Sequence, residues 1–188
     1  MAYLLSAIKR YATVQVRRVF AVDPGAVHFG WAILDLEFDQ SNNLYPNLLH
    51  SGCETFDFNS RGEFQKRLPL ACMLAGSLFS SFVEKYDVDV FAYEMMPPVF
   101  TGTNMAQRML SLSVLASCLS RCEIDTHPIA ANSVKKFMTG NGKATKAKVK
   151  RAIIDNYFPD LKGEKYLEDQ WDAIAIGITC VMKKNDEE

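Results

Sequence analysis

Apolar and polar positions alternate along 31–38 and 48–58 of this chain, and a short run with β-branched residues, 18–22, precedes them. Alternation with period two sends successive side chains to opposite faces of a strand, so the three runs predict consecutive strands in an antiparallel meander. A turn at 25–30 and a polar loop at 39–47 would join them. Helical periodicity follows at 63–86, where Pro69 marks either a kink or the true start. The apolar run 88–93 predicts a fully buried strand. A helix at 103–121, a strand at 124–129 and helices at 133–138, 145–157 and 168–183 complete the pattern. A meander that finishes in right-handed crossovers gives a mixed sheet of five strands flanked by helices.

At 188 residues, with 48% hydrophobic content and seven prolines, the chain fits one domain with a proper core. The boundaries expected are an N-terminal arm at 1–17, the domain at 18–184 and an acidic tail at 185–188. The arm is basic and free of acids, like a mitochondrial presequence, but an ordered arm or short helix packing on the domain is the preferred reading. The apolar stretch 68–83 is interrupted by serine and glycine and falls short of a membrane span. Five cysteines without a C-x-x-C pair predict core thiols in a reducing intracellular compartment, cytoplasmic or nuclear, and argue against structural zinc. The net charge of −1 makes the chain neither a bulk cation nor a bulk anion.

Two local departures from that neutrality carry chemistry. Four acids recur in a particular setting: Asp23 in V-D-P-G and Glu94 in F-A-Y-E each close a buried strand, and Asp169 and Asp172 in E-D-Q-W-D-A-I-A-I head a helix. Spacing of i, i+3 puts the last two on one helix face, with Trp171, Ile174, Ile178 and Val181 packing on another. Singly, each has an ordinary reading as a turn cap, a loop-entry glutamate or a helix-dipole partner. Gathered at one point they would repel unless a cation neutralised them, and their oxygens are the hard ligands Mg²⁺ prefers, with Mn²⁺ a substitute. Two such ions about 3.5–4 Å apart suit in-line phosphoryl displacement, so the acids predict a metal-dependent phosphodiesterase. The prediction fails if Asp23 lies far from the other three, or if a lysine or arginine plugs the space between them in permanent ion pairs.

The second departure is 132–154, which contains no acid but holds Lys135, Lys136, Lys143, Lys146, Lys148, Lys150 and Arg151. Gly140, Asn141 and Gly142 are expected to open a helix carrying Lys143, Lys146 and Lys150 on roughly one face, with Lys148 and Arg151 alongside. Such a surface tracks a phosphate backbone without reading bases, which suggests selection by shape. The helix at 103–121 is apolar nearly all round: Met105, Met109, Leu112, Ala116 and Leu119 on one side, Leu110, Val114 and Cys118 on another. One side must face the core, so either the other meets a second copy across a two-fold axis or the helix is deeply buried in a monomer.

The element order is that of the ribonuclease H-like fold. V-D-P-G-x(4)-G, Y-E, G-N-G-K-A-T-K and D-Q-W-D-A-I-A-I, in that order over roughly 19–181, resemble the RuvC-type Holliday junction resolvases. The resemblance implies that Asp23, Glu94, Asp169 and Asp172 are catalytic metal ligands, that Lys146 is the active-site lysine steadying phosphate charge, and that Lys135 is a second basic position. It implies a homodimer that resolves four-way DNA junctions by paired symmetric nicks. Met95, Met96, Pro97 and Pro98 follow Glu94 where bacterial members have another loop with an aromatic wedge, which makes Phe100 the candidate for propping open the junction centre. That loop, His28, the 39–47 loop and the arm imply a eukaryotic, mitochondrial or large-DNA-virus branch, poxvirus-type included.

Two other functions fit the fold. An RNA-processing nuclease would prefer structured or single-stranded RNA, and a non-catalytic branched-DNA scaffold would have no use for four mutually repelling carboxylates. An actin-like ATPase is excluded because the chain is too short for a duplicated fold and has no second phosphate loop.

Overall fold

The computed structural model describes residues 18–25, 27–38, 44–55, 64–95 and 105–183. Among them are β1 (Val19–Pro24), β2 (His28–Phe38), β3 (Leu44–Thr55), α1 (Phe64–Tyr86), β4 (Val90–Glu94), α2 (Met105–Leu119), β5 (Asp125–Ile129), α3 (Ala131–Thr139), α4 (Lys146–Asn156), a 3-10 turn (Pro159–Leu161) and α5 (Glu168–Lys183). The sheet order is β3-β2-β1-β4-β5. β1, β2 and β3 pair antiparallel, while β4 and β5 run parallel to β1. This is the mixed five-stranded sheet that the periodicity predicts.

Several boundaries move. Pro24 pairs with Phe29 and Asp23 with Gly30, so β2 begins at His28 and the expected 25–30 turn shrinks. β3 begins at Leu44 rather than 48, because the register jumps from Ile33↔His50 to Leu34↔Leu48. The extra residue, Leu49, is a bulge that flips the alternation midway and hides the first half of the strand from a period-two reading. Pro46 in β3 and Pro128 in β5 lie on the two edge strands, where a missing N–H leaves no ladder bond broken. Pro69 is neither the start nor the end of α1, which continues through it.

The two faces of the sheet are packed differently. β1 alternates, so Val19 and Ala21 face a cluster built on α5, and Phe20 and Val22 face one built on α1 and α2. α5 lies across β1 and β2, with α3 and α4 against it, and from Ala173 to Val181 every residue is buried. Its Gly177 is required by a close approach: a Cβ there would lie 2.2 Å from Leu34 Cδ1. Away from the acids, Arg18 forks onto Asp35 (Nε–Oδ1 2.7 Å, Nη2–Oδ2 2.8 Å) and locks β1 to β2. No two cysteines are disulfide-bonded among the described residues, and no described helix is long and apolar enough to cross a membrane.

Candidate active site

Strand alternation aims the first two acids. Asp23 continues the Val19, Ala21 row of β1, and Glu94 continues the Val90, Ala92 row of β4, so both face α5. The parallel pairing runs through Val22↔Tyr93, which sets the two carboxylates side by side at the ends of neighbouring strands. The first turn of α5 arrives above them because Gly30 leaves room: a Cβ there would stand 2.0 Å from the Asp169 carbonyl oxygen. Gln170, a buried polar residue the sequence reading passed over, ties this turn to β3 through Nε2 donating to Ser51 Oγ at 3.0 Å.

Asp23, Glu94, Lys135, Lys146 and Asp172 line one pocket of about 220 Å³ with an apolar wall that includes Val134 and Ile176. Asp169 is not among its lining residues; its carboxylate lies near Gly25, where a Cβ would come within 2.9 Å of Oδ1. Its charge still reaches the pocket. Burial pushes the Asp23 carboxyl well above the usual carboxylate range, and the charges of Glu94, Asp172 and Asp169 push it further. Glu94 is raised by burial and then by Asp172. Asp172 is raised mainly by burial, against the lowering effect of its hydrogen bond to Lys146. Cys53, across from Gly30 on β3, is pushed up to about 11 by burial and by Asp169, Glu54 and Asp23.

The Lys146 ammonium stands 2.7 Å from Asp172 Oδ2 and 3.4 Å from Glu168 Oε2. Burial works against its charge, but the bond to Asp172 and the charges of Asp172, Asp23 and Glu168 outweigh that and hold its pKa above the ordinary value. The side chain is 51% exposed, so it guards the rim rather than plugging the space between Asp23 and Glu94. As the side chains stand, no group of three or more Asp, Glu, His or Cys among the described residues is arranged to hold a metal ion; Asp172 is turned to Lys146. The donor set fits a hard divalent cation all the same. Asp23, Glu94 and Asp172 offer carboxylate oxygens to one pocket, and the repulsion that adds to burial in raising Asp23 is of the kind a bound cation would relieve.

The basic segment differs from its expected form. The helix does not open at 140–142: Gly140, in the left-handed conformation, ends α3, and Thr145 caps α4 by accepting from Lys148 N. Lys143 therefore lies in the turn before α4, its N–H donating to Asn141 Oδ1 at 2.9 Å. The basic side chains also part company. Lys135 and Lys146 line the pocket, Lys136, Lys143 and Lys148 are exposed, Lys150 lies 4.6 Å over the Trp171 ring, and Arg151 pairs with Asp155 at 3.1 Å. On α2, Val114 and Cys118 are buried while Met109, Leu112 and Ala116 are exposed, so the Val114, Cys118 side is the one that faces the core. Met95 is exposed; Met96, Pro97, Pro98, Phe100, the arm at 1–17 and the tail at 185–188 lie outside the described residues.

The family model described as crossover junction endodeoxyribonuclease RuvC matches residues 19–180. A protein of that name from Rickettsia conorii is 25% identical over 172 residues, covering 89% of this chain and 98% of its own length. Another from Synechococcus sp. is 24% identical over 167 residues, covering 89% and 99%. Among solved structures, Thermus thermophilus RuvC in complex with a Holliday junction substrate superposes with a TM-score of 0.67 at 17% identity, over 91% of this chain and 96% of that one. The yeast mitochondrial Holliday junction resolvase gives a TM-score of 0.61 at 12% identity, over 94% and 83%. These two likenesses are likenesses of fold.

Proposed function

The chain belongs to the RuvC family of crossover junction endodeoxyribonucleases, and from that premise we propose that it is a magnesium-dependent endonuclease that resolves four-way DNA junctions by paired symmetric nicks. The observation that carries the reading is the single pocket shared by Asp23, Glu94, Asp172, Lys135 and Lys146 at the ends of β1 and β4. Asp23, Glu94 and Asp172 bind the cations, and Asp169, next to Asp23, completes the set once side chains reorient. Held there, magnesium would supply Lewis-acid chemistry suited to an in-line phosphoryl displacement.

The chain's own cations handle the substrate. Lys146, now paired with Asp172, would turn to a phosphate oxygen and put its positive charge where negative charge grows in the transition state. Lys135 flanks the phosphate from α3. The exposed Lys136, Lys143 and Lys148 follow the backbone of the arms, a contact that positions a duplex and contributes no base preference.

A second copy of the chain supplies the second nick. Leu70, Met73 and Leu74 on α1 and Met109 and Leu112 on α2 are all large, apolar and at least 36% exposed, and the two helices pack side by side, which makes a surface of the kind soluble chains cover by association. Met73→Glu should halve the mass seen by sedimentation.

Cleavage of a synthetic four-way junction, with and without Mg²⁺ and beside Asp23→Asn, tests the assignment. Paired, ligatable nicks from wild type only with magnesium are expected. A wild type as inactive as the variant, or one that cuts structured RNA in preference to the junction, would overturn it.

A further inference from the structure

A second cavity, of about 210 Å³, opens on the other side of Lys146 and Asp172. It shares these two residues and Val149 with the carboxylate pocket, so the two are neighbours across one pair of side chains. Lys146 and Lys150, at i, i+4 on α4, stand on one side of it, and Tyr166, Glu168 and Trp171 stand on the other. Trp171 is only 5% exposed. Its ring is held between Tyr166, with centroids 5.2 Å apart, and the Lys150 ammonium at 4.6 Å. Its indole N–H is buried and has no hydrogen-bond partner among the described residues. A buried donor without an acceptor is rare because it gives up hydration for nothing.

The unmet capacity of this cavity has one sign. Its two carboxylates, Glu168 and Asp172, are both within ion-pair distance of Lys146. What remains are donors: the Trp171 N–H, and the Lys150 ammonium, whose contact among the described residues is a ring face rather than an acceptor. The indole ring already has the tilted Tyr166 ring and the Lys150 ammonium against it, and what the cavity still lacks is a partner for donors. The missing partner is an acceptor-rich anion.

We propose that this cavity is a second phosphate subsite, which takes the phosphodiester next to the one that is cut. Lys150 swings off the indole to meet the anion, a small movement for a flexible lysine stem, and the Trp171 N–H, which lacks an acceptor among the described residues, orients one non-bridging oxygen. The inference rests on the junction-cutting function proposed above and adds to it what fixes the register of the strand. Lys146 lines both cavities and so lies between the two phosphate positions.

The test uses four-way junctions in which one linkage at a time, within three of the cut, is an uncharged methylphosphonate, with Kd read in EDTA so that no metal-dependent cutting occurs. Wild type should lose about tenfold in Kd when one linkage adjacent to the cut is neutralised. Lys150→Gln, and Trp171→Phe, which keeps an aromatic ring but removes the N–H, should each weaken binding of the ordinary junction about three- to tenfold. Neither should weaken further at that one linkage, while both remain sensitive at the others. Losses that multiply at every linkage, or a Lys150→Gln variant indistinguishable from wild type, would overturn the subsite. Lys150 is half-buried and lies outside the core clusters, so its variant stays informative if Trp171→Phe fails to fold. Because the readout is binding, a wild type that binds with one such sensitive linkage yet never cuts would sink the nuclease reading and leave the cavity standing as a phosphate-binding site; one that binds no junction would sink both.

Discussion

The two faces of the sheet solve the same burial problem with opposite materials. Toward α5, β1, β2 and β4 present Ala21, Ala32 and Ala92, and α5 answers with Ala173 and Gly177; a Cβ on Gly177 would also come within 3.3 Å of the Ala21 Cβ. Toward α1 and α2 the same strands present Phe20 and Phe91, which meet Phe79 and Phe82 with ring centroids 4.7 to 5.9 Å apart. Small residues let helix and sheet backbones approach closely, so the position of α5 is set by near-rigid contacts. Rings fill volume and bury area, and they leave the helices above them more distant. The face with the small residues carries the acids. A carboxylate cluster needs a helix fixed to within a fraction of an ångström, and close backbone packing supplies that better than a layer of large side chains.

The comparison predicts that damage to one face is read as lost activity and damage to the other as lost stability. The largest effect is expected from Asp23→Asn, which removes the acid nearest the centre of the cluster: junction cleavage in Mg²⁺ should fall at least about 10³-fold, roughly 4 kcal/mol of transition-state stabilisation. A residual rate within tenfold of wild type would remove Asp23 from the cation site. On the opposite face Phe79→Ala, at a position 1% exposed, should lose about 3 kcal/mol of unfolding free energy in a denaturant titration. Its kcat at a temperature where the variant is still folded should stay within about twofold of wild type, since no contact of Phe79 reaches the acids.

Gly30→Ala sharpens the contrast, because it adds one methyl group where the acid-bearing helix begins. That group would meet the Asp169 carbonyl carbon at 2.3 Å as well as its oxygen, and backbone cannot rotate away. The start of α5 has to move, carrying Asp169 and Asp172 with it. A displacement of this size should lower kcat by roughly 10- to 100-fold. Thermal melts should show a smaller loss than Phe79→Ala. If Gly30→Ala instead melted like a core-cavity variant at unchanged kcat, close packing under α5 would not be what places the acids.

How far the sequence displays all this depends on the range of the interaction. Elements whose signal is local are legible: a short β-branched run marks β1, alternation marks β2, and Asp23 stands out as a charge closing a buried run before Pro-Gly. β3 is half hidden because one bulged residue reverses its phase. Charge spacing alone puts Lys143 on a helix, whereas the helix expected at 145–157 and its cap Thr145, one residue before Lys146, mark the true start. Contacts between distant segments leave no such trace. The Gln170–Ser51 bond spans 119 residues, and the tie of Lys150 to Trp171 joins two helices whose residues each look ordinary, a surface lysine and a core aromatic. The opposed packing of the two faces is visible only once the register says which alanines align.

The smallest predicted effect is the most direct test of whether the acid face is held together against its own charge. The carboxyls of Asp23, Glu94 and Asp172 are all raised in the folded chain, so between the ordinary carboxylate value near pH 4 and the raised values the folded state binds more protons than the unfolded. Stability must then increase as pH falls into that window and decrease as pH rises through it. The penalty grows as pH rises through that window, and anything that neutralises the cluster removes it. Asp23→Asn should therefore melt higher than wild type at pH 7 without divalent metal, by about 1 kcal/mol, or roughly 2–4 °C for a chain of this length. The gain should vanish near pH 4, where wild type is itself protonated. Added Mg²⁺ should raise the wild-type melting temperature by binding the folded state and should narrow the gap between the two proteins. A variant that melts lower than wild type at neutral pH would mean that Asp23 is an ordinary stabilising carboxylate, and the small-residue face would then carry no strained acid cluster for a cation to relieve.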